Sequence, residues 1–198
     1  MKPIYKIAAA AVLAALPVTP ALAGWRLMPA GEETAVAAGT LKVTPQDDWN
    51  RWSKRPIKKG EVWTLDGATL NELYFVVGLA PGETMFRDFR KKEAPLPKLR
   101  AGMDLTEIPE FFESSQRIAL QTSVFEITSV RPGELAGRSG VRFSFEYAVE
   151  GSTLVRKGEA AATLVEDQLY LISFIAPSIH YYDRDLPKAE KIMASATM

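Results

Sequence analysis

Eleven cationic side chains and two tryptophans crowd two stretches of this chain. Arg51, Lys54, Arg55, Lys58 and Lys59 share the segment 46–60 with Trp49 and Trp52, and Arg87, Arg90, Lys91, Lys92, Lys98 and Arg100 share the segment 83–103. Arginine forks onto the oxygens of phosphate or carboxylate, lysine offers a mobile point charge, and tryptophan suits a boundary between apolar and wet surroundings. Brought together, the two stretches would hold the phosphates of an anionic lipid or lipopolysaccharide, or an acidic protein. The same residues also read as solvated loops whose lysines keep edge strands from pairing with other molecules.

A second constellation lies near the C-terminus. His180, the only histidine, precedes Tyr181, Tyr182, Asp183 and Asp185, so an imidazole, two phenols and carboxylates could line a shallow polar site. The alternative puts His180 on a strand-to-helix loop, Asp185 as the cap of a last helix, and the tyrosines as packing between helix and sheet. Asp47–Asp48 and Glu110/Glu113 are the carboxylate pairs for a hydrolase, but acid–base work needs two groups across a cleft with their pKa values pushed apart. Adjacent loop aspartates and first-turn helix glutamates fit solvated charges better. Gly137-Arg138-Ser139-Gly140 is a turn between strands and not a nucleophile elbow, and neither a phosphate-binding loop nor a zinc-protease motif occurs. The sequence points to no catalytic residue, cofactor or metal site.

Composition narrows the classes. With zero cysteines, thiol chemistry and cysteine–metal sites are excluded, and packing alone must hold the fold. Basic and acidic residues number 24 each, and without Lys2 and Lys6 a slight acidic excess remains, too small for a global field to select nucleic acid. Those two lysines, the apolar run Ile7–Leu16 and the small-residue site Ala21-Leu22-Ala23 form a secretory signal pattern, which predicts cleavage after Ala23 and a periplasmic or secreted protein. The apolar run is too short for an ordinary span, so the protein is not expected to be integral to the membrane.

The elements that must position these residues follow in order. Residues 24–39 read as a flexible leader and 40–198 as a single domain. Strands are expected at Thr40–Thr44, Glu61–Leu65 and along LNELYFVVGL, where Leu73, Phe75, Val77 and Leu79 share one face. Residues 46–60 read as a polar loop and 83–103 as a surface excursion with paired prolines. A helix then opens with Asp104 or Thr106 as cap and Pro109 in its first turn, its stripe running Ile108, Phe111, Phe112, Ser115, Ile118 and Ala119. A four-stranded meander occupies Ser123–Pro177. Val141, Phe143, Phe145, Tyr147 and Val149 alternate with polar residues, whereas QLYLISFIAP is apolar on both faces and marks a central strand. A helix at about Asp185–Ala196, with Pro187 in its first turn, closes the chain. The predicted class is α+β: a mainly antiparallel sheet with helices on its faces, an α/β/α sandwich.

Strands, a helix opened by DLTEIPEFFESS, a meander ending in QLYLISFIAP and a closing helix together resemble the PsbP and Mog1-like superfamily of small sandwiches, over roughly residues 40–195. The stretches WNRW and WTLDG are similar to those of exported proteins of Gram-negative bacteria. Photosystem members of the superfamily are extrinsic subunits and Mog1 members bind a GTPase, but no functional residue of either matches a numbered position here. The resemblance implies a non-enzymatic binding or assembly module, docking on an envelope protein or an anionic envelope surface. A hydrolase with a carboxylate site and a structural subunit joined through a sheet edge are the alternatives.

Overall fold

Strand β10 (Gln168–Pro177) is buried along almost its whole length, and the other elements are arranged to cover it. The computed structural model describes residues 24–149 and 151–198, so the signal pattern at 1–23 lies outside the described residues. Ahead of β10 come β1 (Trp25–Met28), β2 (Thr34–Ala35), β3 (Lys42–Val43), β4 (Trp49–Trp52), β5 (Gly60–Thr64) and β6 (Glu72–Leu79). A 3₁₀ turn leads into α1 (Ile108–Leu120); β7 (Phe125–Leu135), β8 (Arg138–Ala148) and β9 (Val155–Val165) follow, and α2 (Tyr181–Ala194) comes last. The main sheet is antiparallel with strand order β1-β4-β5-β6-β10-β9-β8-β7, and β2 and β3 form a separate ribbon.

Side chains alternate across a strand, and β10 sends them into two cores. Leu169, Leu171 and Ile175 pack with Ile108, Phe111 and Phe112 of α1. Tyr170, Ile172, Phe174 and Ala176 pack with Ala189, Ile192 and Met193 of α2. The expected meander is present as β7 to β10, each strand paired to the next. Its first and last turns are tight: Ala136 and Gly137, then Glu166 and Asp167, all have positive φ, as type I′ two-residue hairpin loops require. Among the described residues no helix is long and apolar enough to cross a membrane.

Packing under α1 is aromatic. The Phe112 ring lies 4.9 Å from Phe145 and 5.2 Å from Phe143, and Phe125 stacks on Phe145 at 5.3 Å. Strand β9 makes the room: Gly158, Ala160 and Ala162 present almost no side chain on the face of these rings. Asp104 starts the helical segment, its backbone N–H donating to Glu107 at 2.8 Å, and Pro109 sits in the first turn of α1 as expected.

Several expectations are corrected. Residues 24–39 are no flexible leader, because β1 joins the main sheet and Val36 is fully buried. Residues 46–60 are no continuous loop, because WNRW forms β4. The strand expected at Thr40–Thr44 shrinks to Lys42–Val43. Leu79 leaves the face of Leu73, Phe75 and Val77 for the α1 core, because a register shift at Gly78, with φ of 67°, reverses the alternation. Ile118 and Ala119 extend past the buried part of α1, and Val149 is exposed. Helix α2 begins four residues earlier than Asp185, which is therefore no cap, and Pro187 lies inside the helix.

Asp185 is instead a buried anchor. Asn71 donates to it at 3.0 Å, Lys188 at 3.2 Å and Arg184 through two nitrogens. Asn71 Oδ1 also accepts from the backbone N–H groups of Leu65 and Asp66, so one amide ties α2 to the β5–β6 turn. Burial pushes the Asp185 carboxyl up, but the hydrogen bonds from Arg184 and Lys188 outweigh it and hold the group below its ordinary value.

The two sheet edges differ. β7 carries Pro132, a register shift between Ile127 and Ser129, and the exposed charges Glu126, Arg131 and Glu134. β1 has four residues, with Trp25 and Leu27 exposed.

Gly158 sets the first prediction. A Cβ placed there would fall 2.1 Å from the Phe145 ring, too close for rotamer adjustment in an aromatic cluster. Gly158→Ala is expected to cost about 1–3 kcal/mol and lower Tm by several degrees in a thermal melt, with Ala160→Gly as the milder comparison.

Candidate functional site

The segment 83–98 leaves the sheet and returns to it through a narrow neck. Thr84 and Lys98 form an antiparallel bridge, Gly82 N–H donates to Leu99 O at 2.8 Å, and Leu99 N–H donates to Glu83 O at 2.9 Å. Met85, Leu96 and Leu99 are buried at the base. The Tyr74 hydroxyl donates to Met85 O at 2.7 Å, and Phe86 stacks on Tyr74 at 5.4 Å. The result is an Ω-loop, packed by its own side chains with its ends held together.

This loop stands against residues 52–59, so the two basic stretches meet. Between them lies a cleft of about 740 Å³. Arg55, Lys58, Lys59, Arg87, Lys91 and Lys98 line it, against the carboxylates of Glu83 and Asp88. Both carboxylates are already engaged: Glu83 accepts from Ala80 N–H at 2.9 Å, and Asp88 accepts from the N–H groups of Arg90 and Leu96, each at 3.3 Å. Among the described residues none of the six cations has an ion-pair partner. Six unpaired cations in one concavity focus a positive field, which salt weakens because most of them are exposed.

A second hollow of about 420 Å³ adjoins the cleft and shares Arg55, Pro56, Phe86, Arg87 and Asp88 with it. Its other walls are apolar: Trp52, Phe89, Leu96, and Ile118 and Ala119 of α1. Phe89 is 80% exposed, with the Arg87 guanidinium 5.0 Å from its ring centre. Lys54 and Arg90 stand at the rim. Trp25 of β1 stacks on Trp52 at 6.4 Å and extends the aromatic surface.

Trp52, Lys54, Arg55, Arg87 and Arg90, all expected as binding residues, are thus brought together. Trp49 and Arg51 are not, and the reason is strand alternation within β4. Trp49 is fully buried in the α2 core, and Arg51 turns toward the buried Glu61 at 3.6 Å, while Trp52 opens toward α1. Glu61 also accepts from Trp63 Nε1 at 2.7 Å and Ala37 N–H at 2.9 Å, so Arg51 serves an internal network. His180, Tyr181 and Tyr182 lie at the start of α2, outside both hollows. Tyr182 stacks on Phe174 at 6.2 Å, and Tyr181 lies between His180 and the Arg184 guanidinium. Burial, with carboxylates nearby, pushes the Tyr182 phenol up to about 12. Phe86, Phe89, Ile118 and Ala119 were missed as wall residues. The signal for two of them was present: Phe86 and Phe89 stand three apart among arginines in FRDFR, an odd place for large apolar groups.

The carboxylates weighed for hydrolysis are dispersed. Asp48 accepts from Ala30 N–H at 2.9 Å, Glu113 pairs with Arg117 at 2.8 Å, and Glu110 is exposed. Among the described residues no group of three His, Cys, Asp or Glu could hold a metal ion. One carboxyl that the sequence did not mark is Glu72, at the head of β6, which burial raises to about 7 while Arg156 opposes the shift. The phenol of Tyr147, pushed up to about 12, feels the same charges.

No family model and no curated protein matches the chain. Among solved structures it is similar to cyanobacterial PsbP (CyanoP) from Synechocystis sp. PCC 6803, at 14% identity over 94% of this chain and 98% of that one, with a TM-score of 0.51. It is also similar to the Ran-binding protein Mog1p of Saccharomyces cerevisiae, at 9% identity over 83% and 93% with a TM-score of 0.44. A third is LpqN, involved in cell envelope biogenesis of Mycobacterium tuberculosis, at 12% identity over 88% and 78% with a TM-score of 0.34. The likeness to CyanoP shows the fold: the architecture is PsbP-like, as the order of elements implied.

Glu72 supplies a pH dependence. A carboxyl whose folded pKa exceeds its unfolded value holds more protons when folded, so stability falls as pH rises from about 4.5 to about 7 and levels off above. Glu72→Gln is expected to remove that decline, raising stability at pH 8 on the order of 2 kcal/mol and leaving it unchanged at pH 4; denaturant melts at the two pH values check this.

Proposed function

We propose that this protein is an exported, non-enzymatic docking module that binds an anionic surface of the cell envelope through the face built by residues 52–59 and 83–98. The observation that carries this is the cleft with six unpaired cations beside an exposed aromatic wall. Unpaired cations held close together repel one another, and an anionic partner relieves that cost. Trp25, Trp52 and Phe89, all exposed, suit the boundary between headgroups and acyl chains. The secretory pattern at 1–23 supports a periplasmic or secreted location. In this function the two helices serve as the outer layers of an α/β/α sandwich, supported by the division of β10 between two cores, and they leave the loop face free for the partner.

Co-sedimentation with vesicles tests the docking. Wild-type protein lacking only residues 1–23 (leaderless protein) is expected to bind vesicles rich in phosphatidylglycerol, to ignore phosphatidylcholine vesicles, and to release as salt rises. The quadruple variant Arg55→Glu, Arg87→Glu, Lys91→Glu, Lys98→Glu is expected to lose binding by at least about a hundredfold, at roughly 1 kcal/mol for each basic residue lost, with an unchanged far-UV spectrum. Binding that ignores both salt and these four charges would overturn the docking function.

A further inference from the structure

The cationic cleft and the apolar hollow beside it are neighbours, and their chemistries differ in the way the two ends of a lipid differ. Each volume falls within the roughly 300–1,000 Å³ common for small-molecule sites. Arg55, Pro56, Phe86, Arg87 and Asp88 line both, which puts the two hollows side by side within reach of a single extended ligand crossing their common margin. The far side of the hollow is the end of α1. There Ile118 and Ala119 continue the apolar stripe beyond the sheet, with no core above them. Phe89 leaves 80% of its surface in water although the loop that carries it is packed at its base. Resting on the docking function proposed above, we infer that this face takes up individual lipid molecules, each with one acyl chain and a phosphate head. The phosphate lies among Arg55, Arg87, Lys91 and Lys98, and the chain lies along Trp52, Phe89 and Ala119.

The commitment to a phosphate head follows from charge. Six cations face only two carboxylates, both already held by backbone N–H groups, so the cleft favours a compact multiply charged anion, which arginine forks and lysine point charges both serve. The commitment to an acyl chain follows from the hollow, where Trp52, Phe89, Leu96, Ile118 and Ala119 offer aromatic and aliphatic surface next to the cations. An acidic peptide would satisfy the cleft and leave that surface wet.

Isothermal titration with leaderless protein separates the possibilities, using dodecyl phosphate below its micelle concentration, inorganic phosphate and dodecyl maltoside. Dodecyl phosphate is expected to bind as a one-to-one complex, and each of the others at least about tenfold more weakly, since every buried methylene adds to affinity. Ala119→Trp, which fills the hollow and changes no charge, is expected to weaken dodecyl phosphate by at least about tenfold, the worth of roughly two buried methylenes. Phe89→Ser, at an exposed position that the fold does not need, is expected to act in the same direction. Ala119→Trp, which alters none of the cations or boundary aromatics, is expected to retain binding to phosphatidylglycerol vesicles. Vesicle binding without any uptake of monomeric dodecyl phosphate would overturn the lipid inference and leave the docking function standing, as would equal affinity in wild type and Ala119→Trp. A tighter complex with a poly-glutamate peptide than with dodecyl phosphate would also overturn it. Loss of both vesicle and monomer binding in wild type would remove the docking function itself.

Discussion

Strand β10 has no face that can meet water, and most of the architecture answers that constraint. A strand apolar on both sides has to be covered twice, so one helix must precede the meander and another must follow it. α1 and α2 do this from the two sides of the meander in the chain, and each brings a short stripe matched to its own set of β10 side chains. The small residues of β9 are the complement of the large ones on β8. Without Gly158, Ala160 and Ala162, the phenylalanines under α1 would have nowhere to lie. Because no disulfide is available, the second cover is fastened by polar means: the Asn71 amide links the β5–β6 turn to the buried Asp185 on α2. Such a network is useful only when every member is satisfied, and here each group has a partner.

The face proposed for binding stands outside this construction. The Ω-loop touches the core through Met85, Leu96 and Leu99 at its base, and its neck is closed by two backbone hydrogen bonds and a bridge. Residues 86–95 can therefore vary in charge and shape at little cost to β10 and its covers. Division of labour of this kind, a packed scaffold with an adaptable loop, is how one fold serves unrelated partners. The likeness to CyanoP accordingly speaks for the scaffold and leaves the loop chemistry to be read from this chain.

The parts of the fold that were legible in the sequence are those governed by local rules. Period-two alternation marked β8, two-sided apolarity marked β10, turn dipeptides separated the meander strands, and Asp104 with Pro109 marked the start of a helix. What escaped needed knowledge of distant partners. Residues 25–28 look like a leader because their strand character comes from pairing with β4, and WNRW looks like a loop because only a sheet neighbour makes four such residues extended. The same blindness decided the candidate site: a loop would have shown Trp49, Arg51 and Trp52 together, whereas a strand turns the first two inward and the third outward. Leu79 failed for a different reason. A single left-handed glycine reversed the parity, and no count of alternation crosses a bulge. Asp185 was seen as a cap because a buried aspartate inside a helix is legible only once Asn71, Arg184 and Lys188 are known to surround it.

The unequal edges of the sheet carry a further consequence. A new strand cannot readily add to β7, where Pro132 lacks a donor, the register shift bends the ladder and three charges face outward. β1, four residues long with Trp25 and Leu27 exposed, has neither proline nor register shift and carries the single charge of Arg26. A body with one closed edge and one open edge can join a second copy of itself open edge to open edge, and the pair then offers only closed edges. Growth by strand addition would stop at two, so crowding in a confined compartment would yield at most a dimer by this route, never a filament.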